Sequence, residues 1–410
     1  MPPSPTPRHR RQRLRRALAL PLGLWIALAS PLAVSSAGAA PGADRPAPDA
    51  TSEALAPAVD AEGQPIHPLP SKASMEAPPD HEGSFILLPV AAYSPETSVL
   101  FAALGILFFD SGATRPARSH LVLTYTLRNQ VRVDVGAEIP FAGDRFQLRG
   151  RGKAIRWNDR FYGIGNTAPT TWERFESNEY ELQLDLMTQL RLRGLYMGIA
   201  LEGYQSTIFA DTDSDLRTSG LIGVKGGTRL GGGLLVEMDR REGRSTLTPT
   251  GGYVLTLRYI VFDEAFAGDF TYSRLVFDGR SYLPLGRYGL IATQLRGTFT
   301  GGDTPFDDLG LLGGDQFGRG IYRGRYRDRH SMVFQGGWRT PTLGDWGGAL
   351  FGSIGEVSPD VATFPQLTPR WTVGTGVRYF LDLERGVSIR FDVGFNTDDF
   401  GAYVNIGEAF

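Results

Sequence analysis

His330 and Ser331 are the nearest approach to a catalytic pair in this 410-residue chain, and they stand side by side in a stretch that alternates apolar and polar residues. Neighbours in a strand point to opposite faces, so imidazole and hydroxyl diverge and no His–Ser hydrolase can be assembled from them. His9, His67 and His81 lie near the start of the chain, and His120 stands alone. Cysteine is absent, which removes a disulfide framework and a thiolate metal site together. Gly231-Gly-Gly233 reads as the entry to a strand, with no phosphate-binding loop or nucleophile elbow around it. The expectation is a protein with no catalytic residue, metal or cofactor. What the chain does offer is cationic. Arg323, Arg325, Arg327 and Arg329 alternate, so an extended backbone sets four guanidiniums on one face, suited to lumen carboxylates or to phosphates.

The elements that must position those arginines are strands. In 131–139, Val131, Val133, Val135, Ala137 and Ile139 interleave with Arg132, Asp134 and Glu138. In 180–192, five leucines and Tyr180 face one way and Glu181, Gln183, Asp185, Gln189 and Arg191 the other. A helix would spread those leucines around its circumference, so a period of two excludes it. Near the C-terminus Ile389, Phe391, Val393 and Phe395 repeat the pattern, which is carried on to a terminal Phe410. One apolar and one polar face on every strand is the pattern of a barrel with lipid outside and a polar lumen inside.

The same reading predicts sixteen strands: 85–93, 98–110, 118–129, 131–141, 145–157, 179–193, 195–209, 231–242, 250–262, 269–284, 288–300, 330–342, 346–357, 371–382, 388–397 and 401–410. A seventeenth candidate, 216–230, is demoted because a bacterial barrel with both ends in the periplasm needs an even number. The long connections 158–178, 210–230 and 301–329 then follow odd-numbered strands and share one end, expected to be extracellular. No stretch after the first forty residues reaches the roughly 20 apolar residues of a spanning helix.

Six arginines between Arg8 and Arg16, the apolar run 17–34 and Ala37-Gly38-Ala39 read as a signal peptide over 1–39, with an N-terminal membrane anchor as the alternative. Losing those six arginines takes the formal net charge from −2 to −8, which excludes a nucleic-acid partner on electrostatic grounds. Residues 40–83 hold nine prolines, eight acids, two bases and no aromatic residue. Such a segment cannot bury enough apolar surface to offset chain entropy, so it is expected to be a disordered periplasmic tail, or else a docking peptide for a periplasmic partner. The barrel is expected to occupy 84–410.

The most specific motif is Leu312-Gly-Gly-Asp-Gln-Phe-Gly-Arg-Gly-Ile-Tyr-Arg-Gly-Arg-Tyr-Arg-Asp-Arg329. It resembles the sixth extracellular loop of the BamA/TamA-like outer-membrane assembly proteins, the bacterial surface antigen family. Gly313 and Gly314 match the family's glycine pair, and Arg319 and Gly320 match its Arg-Gly tip. Ile321 stands where an aromatic is usual, with Tyr322 just after it. Tyr93–Thr97 resembles the family's first hairpin turn, Phe161–Asn166 a loop entry and Asp239-Arg240 with Pro249–Gly251 its periplasmic turn, and Asp278–Tyr282 and Gly407–Phe410 also fit, so the likeness spans nearly all of 85–410. It implies a loop folded back into the lumen, the alternative being an arginine-rich surface loop.

Two departures stand out. The family usually carries POTRA domains of some seventy-odd residues, which a 44-residue tail cannot hold. The acids that usually hold the loop arginine are replaced here by Gly337 and Ser353, which leaves Asp392, inward-facing by alternation, as the first candidate partner of Arg319.

What the resemblance implies is a part in inserting or translocating outer-membrane proteins, or in moving lipid, through a weak seam between first and last strands. Gly401, Gly407 and Phe410 mark that seam on the last strand. Expected partners are outer-membrane lipid and other outer-membrane or periplasmic assembly proteins. The competing reading is a passive small-solute channel or a structural surface barrel. Deleting residues 41–80 is expected to leave a heat-modifiable, protease-resistant barrel, read by gel mobility with and without boiling; loss of folding would mean that the segment pairs with the barrel.

Overall fold

The computed structural model describes residues 84–113, 117–243, 248–366, 369–382 and 387–410. The signal peptide expected over 1–39 and the tail expected over 40–83 lie outside the described residues.

Sixteen antiparallel strands close into a barrel, each hydrogen-bonded to its neighbour in sequence. In chain order they are β1 (Ser84–Ser94), β2 (Ser98–Phe109), β3 (Ala117–Thr126), β4 (Val131–Phe141), β5 (Phe146–Phe161), β6 (Glu173–Gln189), β7 (Leu195–Phe209), β8 (Gly226–Asp239), β9 (Gly252–Phe262), β10 (Tyr272–Pro284) and β11 (Leu290–Gly302). A ribbon of two short strands follows, β12 (Gly310–Leu312) with β13 (Tyr326–Asp328). The wall resumes with β14 (His330–Arg339), β15 (Trp346–Ser358), β16 (Arg370–Asp382), β17 (Val387–Phe395) and β18 (Phe400–Ile406).

Every strand expected from alternation is present. The region 216–230 contributes a single helical turn, Asp215–Thr218 capped by Ser214, before β8 begins at Gly226. All three expected long connections leave the barrel at one end, the loop end; at the other end the connections are shorter except for 240–251 between β8 and β9, which is one residue longer than 162–172. The hairpin of β5 and β6 runs further than expected: its pairing continues from Arg156↔Asn178 to Phe161↔Glu173, beyond the last pairing of β5 with β4 at Val131↔Arg156.

The core is inverted relative to a soluble protein. Leu182, Leu184, Leu186 and Phe391 are exposed on the outer face, while Arg132, Asp134, Glu202, Arg390 and Asp392 are buried inside. This is the arrangement of a transmembrane barrel, in which the backbone ladder satisfies every peptide group and alternate side chains meet lipid.

The last strand departs from expectation. It stops at Ile406, because Gly407 takes φ +74° and turns the chain off the wall. Gly407–Phe410 therefore do not extend the seam. Phe410 is buried against Tyr282 and Ala292 on the inner side of β10 and β11, and its carbonyl accepts a hydrogen bond from Arg339. Asn396, expected within a strand, lies in the β17–β18 turn, where its side-chain oxygen accepts from the backbone N–H groups of Asp398 and Asp399 at 2.7 Å each.

The two faces give a direct test. Phe391→Arg, on the lipid face midway along β17, is expected to lower stability by about 2–4 kcal/mol in refolding titrations into lipid vesicles. Thr256→Arg, which faces the lumen, should leave the midpoint nearly unchanged. Equal losses would show the assigned faces to be wrong.

Candidate functional site in the lumen

The connection 303–329 between β11 and β14 turns back into the barrel. Residues 312–322 and 324–328 are all buried, packed against inward-facing side chains of the wall. An apolar cluster seats it: Leu312, Phe317, Ile321, Tyr322 and Tyr326 pack with Val333 of β14, Val357 of β15, and Tyr162 and Ala168 of the β5–β6 loop. The two matched aliphatic and aromatic positions, Ile321 and Tyr322, thus serve as packing groups.

The glycines of the motif have steric reasons. Gly313 and Gly314 take φ +100° and +87°, a backbone region L side chains rarely adopt. Gly320 takes φ +114°, and a Cβ there would lie 2.7 Å from the Phe395 backbone nitrogen. On the facing strand a Cβ at Gly394 would collide with the Arg319 carbonyl. The loop tip and β17 approach backbone to backbone because both lack a side chain at the crossing.

That approach delivers Arg319 to Asp392. Nη1 of Arg319 donates to Oδ2 of Asp392, and the guanidinium lies 3.4 Å above the centre of the Phe351 ring. Arg319 is 3% exposed and Asp392 fully buried. Asp392 also accepts from Arg378 at 2.7 Å and lies 3.4 Å from Nε of Arg390. Glu408 pairs with Arg378 at 2.9 Å and Arg339 at 3.5 Å, so the displaced C-terminal segment belongs to the same network. Asp315, in the loop, accepts from Asn405 of β18 at 2.6 Å and lies 3.5 Å from Arg390.

The loop also bridges the closing strands. The Arg323 backbone N–H donates to Oε1 of Glu96 at 2.9 Å, in the β1–β2 turn that Ser94 and Thr97 brace with their hydroxyls 3.0 Å apart. Burial raises the Glu96 carboxyl above its usual range, with the Arg323 N–H and the Ser94 hydroxyl pulling it back. On the other side, the Gly320 N–H donates to the Tyr403 hydroxyl at 3.1 Å on β18, and Arg325 pairs with Asp399 in the β17–β18 turn. Gly401 faces inward beneath that same tyrosine, where a Cβ would strike its hydroxyl.

The seam itself is thin. β1 and β18 share one register pair, Tyr93↔Val404, whereas β1 pairs with β2 from Ser84↔Phe108 to Ser94↔Ser98.

Sequence reasoning missed Glu96, Phe351, Arg378 and Tyr403. Alternation gives the last three their inward direction, but no local signal told which inward residues meet the loop. At the positions where the usual acids are replaced, Ser353 bonds to Thr372 at 2.7 Å, and Gly337 is paired with Phe351 across β14 and β15.

Away from the loop, the lumen holds a cavity of about 280 Å³ lined by charges of both signs. Arg274 pairs with Glu202 and Asp308, Arg258 with Asp185 at 2.5 Å and Glu202 at 2.9 Å, and Arg149 with Glu237 at 2.9 Å. No group of acids and histidines suited to a metal ion occurs among the described residues.

The described residues form a sixteen-stranded antiparallel transmembrane β-barrel whose longest loop is folded into the lumen and tied to the strands that close it. In sequence, the chain matches no protein-family model and no curated protein. Among solved structures it is similar to BamA from Haemophilus ducreyi lacking POTRA domains 1–3, with a TM-score of 0.55 and 12% identity over 80% of this chain and 70% of that one. It is similar also to CdiB from Acinetobacter baumannii, with a TM-score of 0.53 and 12% identity over 79% of this chain and 59% of that one. For CdiB from Escherichia coli the TM-score is 0.54 and the identity 11%, over 80% of this chain and 63% of that one. The chain thus spans less than two thirds of either CdiB. The fold is that of a BamA-like barrel.

The charge network predicts an asymmetry. Asp392→Ala strands Arg319 and leaves Arg378 with Glu408 and Arg390 with Asp315 as their remaining acids, while Arg319→Ala leaves Asp392 with Arg378 and Arg390. The first is expected to cost about 3–5 kcal/mol, since an unpaired buried charge is the expensive outcome. The second should cost less, while exposing the loop to limited trypsin digestion. Equal unfolding midpoints for the two variants would contradict this arrangement.

Proposed function

We propose that this chain is an outer-membrane barrel, loop end outward and both chain ends periplasmic, that helps other polypeptides or lipids enter the membrane through the β1–β18 seam. The single register pair at Tyr93↔Val404 carries the reading. Continued in that register, Glu408–Phe410 would stand opposite Pro89–Leu87, but these residues have left the wall. The turn-end half of β1 is thereby an edge, and an unpaired edge in lipid leaves peptide groups unsatisfied at a cost of several kcal/mol each. A client strand that pairs with this edge relieves that cost, which is strand addition within the membrane plane. The likeness to BamA and CdiB barrels supports a partner of outer-membrane or periplasmic type.

A second reading is a passive solute channel, favoured by the charged lumen cavity. One variant separates the two. Because the chain has no cysteine, Tyr93→Cys with Val404→Cys introduces a single crosslink between directly paired residues, whose Cα spacing suits a disulfide. Oxidation is expected to abolish assembly of a barrel client into proteoliposomes, and reduction to restore it. Solute flux through the same liposomes should not respond to the lock. Undiminished assembly by the oxidised form would defeat the seam reading, and client-independent flux would favour the channel.

A further inference from the structure

The outer face changes character at the loop end. On β6 the lipid-facing side chains run Leu186, Leu184, Leu182, Tyr180, and then Asn178, Glu176 and Arg174. On β5 the same face ends in Arg156, Asn158 and Arg160, cross-paired with those three β6 residues. This projecting hairpin and the β3–β4 turn enclose a groove of about 380 Å³, lined by Leu127, Arg128, Asn158, Arg160, Trp172 and Arg174 among others.

Within it, the Arg160 guanidinium is sandwiched, 4.3 Å from the Trp172 ring centre and 4.5 Å from that of Tyr322. Stacking uses the faces of a guanidinium; Nη1 donates to the Tyr162 hydroxyl at 3.3 Å, and the other N–H groups of the edge are left for a planar or tetrahedral anion. Among the described residues Arg128 and Arg156 have no carboxylate partner, and Arg174 pairs with exposed Glu176 at 3.1 Å, an exposed pair of little strength. The one acid in the groove, Asp159, already accepts from the Tyr322 hydroxyl at 3.2 Å and the Arg160 backbone N–H at 2.8 Å. Directly below, Leu127 is 60% exposed and Tyr125 48%, on the lipid side.

From this placement we propose that the groove binds the phosphorylated saccharide headgroup of an outer-leaflet glycolipid. The arginines grip phosphate, as bidentate Arg–phosphate pairing allows. Trp172, 46% exposed, lies beside the sugar, and the acyl chains run down past Leu127 and Tyr125. The proposal rests on the loop end facing outward, as in the function proposed above, but not on the seam.

The test uses the purified full barrel in detergent, with diphosphoryl lipid A and its dephosphorylated form as probes and bound lipid read by native mass spectrometry. The diphosphoryl form should bind at least about tenfold more tightly, a difference of about 1.4 kcal/mol. Arg128→Gln with Arg174→Gln, both away from any packing role, should weaken it by a similar factor. Arg191→Gln with Arg193→Gln, at the opposite rim, should leave it unchanged. Equal binding of the two lipids, equal loss in the two double variants, or displacement by inorganic phosphate at the lipid's own concentration would each overturn the proposal. Orientation is read separately, by labelling Thr171→Cys on intact cells with a membrane-impermeant maleimide. Failure to label would overturn access from the outer leaflet while leaving the binding result and the seam test untouched.

Discussion

Asp392 is the carboxylate on which the occupied half of this lumen depends. It lies fully buried among Arg319, Arg378 and Arg390. A lone guanidinium in such a place would pay several kcal/mol of desolvation, and three together would also repel one another. With Asp392 present, Arg319 fixes the loop tip to β17 and Arg378 reaches on to Glu408. The loop is therefore held by a charge network that spans three strands, on top of the apolar contacts of Ile321, Tyr322 and Phe317.

That network also shapes the end of the chain. Glu408 is drawn inward by Arg378 and Arg339, and Phe410 fills an apolar site beside Tyr282 and Ala292. Both interactions are available only if the chain leaves β18, which Gly407 permits through its positive φ. The inward-folded loop and the shortened last strand are thus two results of one set of buried ion pairs. Near the loop end of the thin β1–β18 seam, the inward-folded loop ties both flanks from inside, through Glu96 on one and Tyr403 on the other.

The architecture was legible because a barrel writes itself in a period of two. Every inward charge on 131–139 and every outward leucine on 180–192 could be assigned without any tertiary information, and parity then fixed the strand number and the end that carries long loops. The Arg-Gly tip was legible as a motif, and Asp392 followed from phase. What alternation cannot give is which inward residues meet across the lumen. Nothing local marks Phe351 as the ring under Arg319, or Glu96 as the acceptor for a backbone N–H more than two hundred positions away. The C-terminus misled for a related reason. Gly407-Glu-Ala-Phe410 continues the alternation well enough to read as strand, and its departure is decided by partners on β10, β14 and β16.

An open strand edge is a hazard in any sheet, and proteins usually blunt one with proline, charge or cover. Here β1 carries Pro89, opposite the position Glu408 would take if the strand continued. Proline has no N–H to donate and is tolerated where a ladder ends, on an edge strand. The feature disfavours tight, full-length pairing of β1 with the chain's own C-terminus, and the inward pull on Glu408 and Phe410 acts in the same direction. A barrel under pressure only to close would pair these residues, since every unmade peptide hydrogen bond in lipid is costly. Two independent features, one in β1 and one after β18, instead keep the seam short, while the loop prevents it from parting altogether. The structure thus combines a closed ladder on fifteen of its strand junctions with a weak sixteenth braced from within.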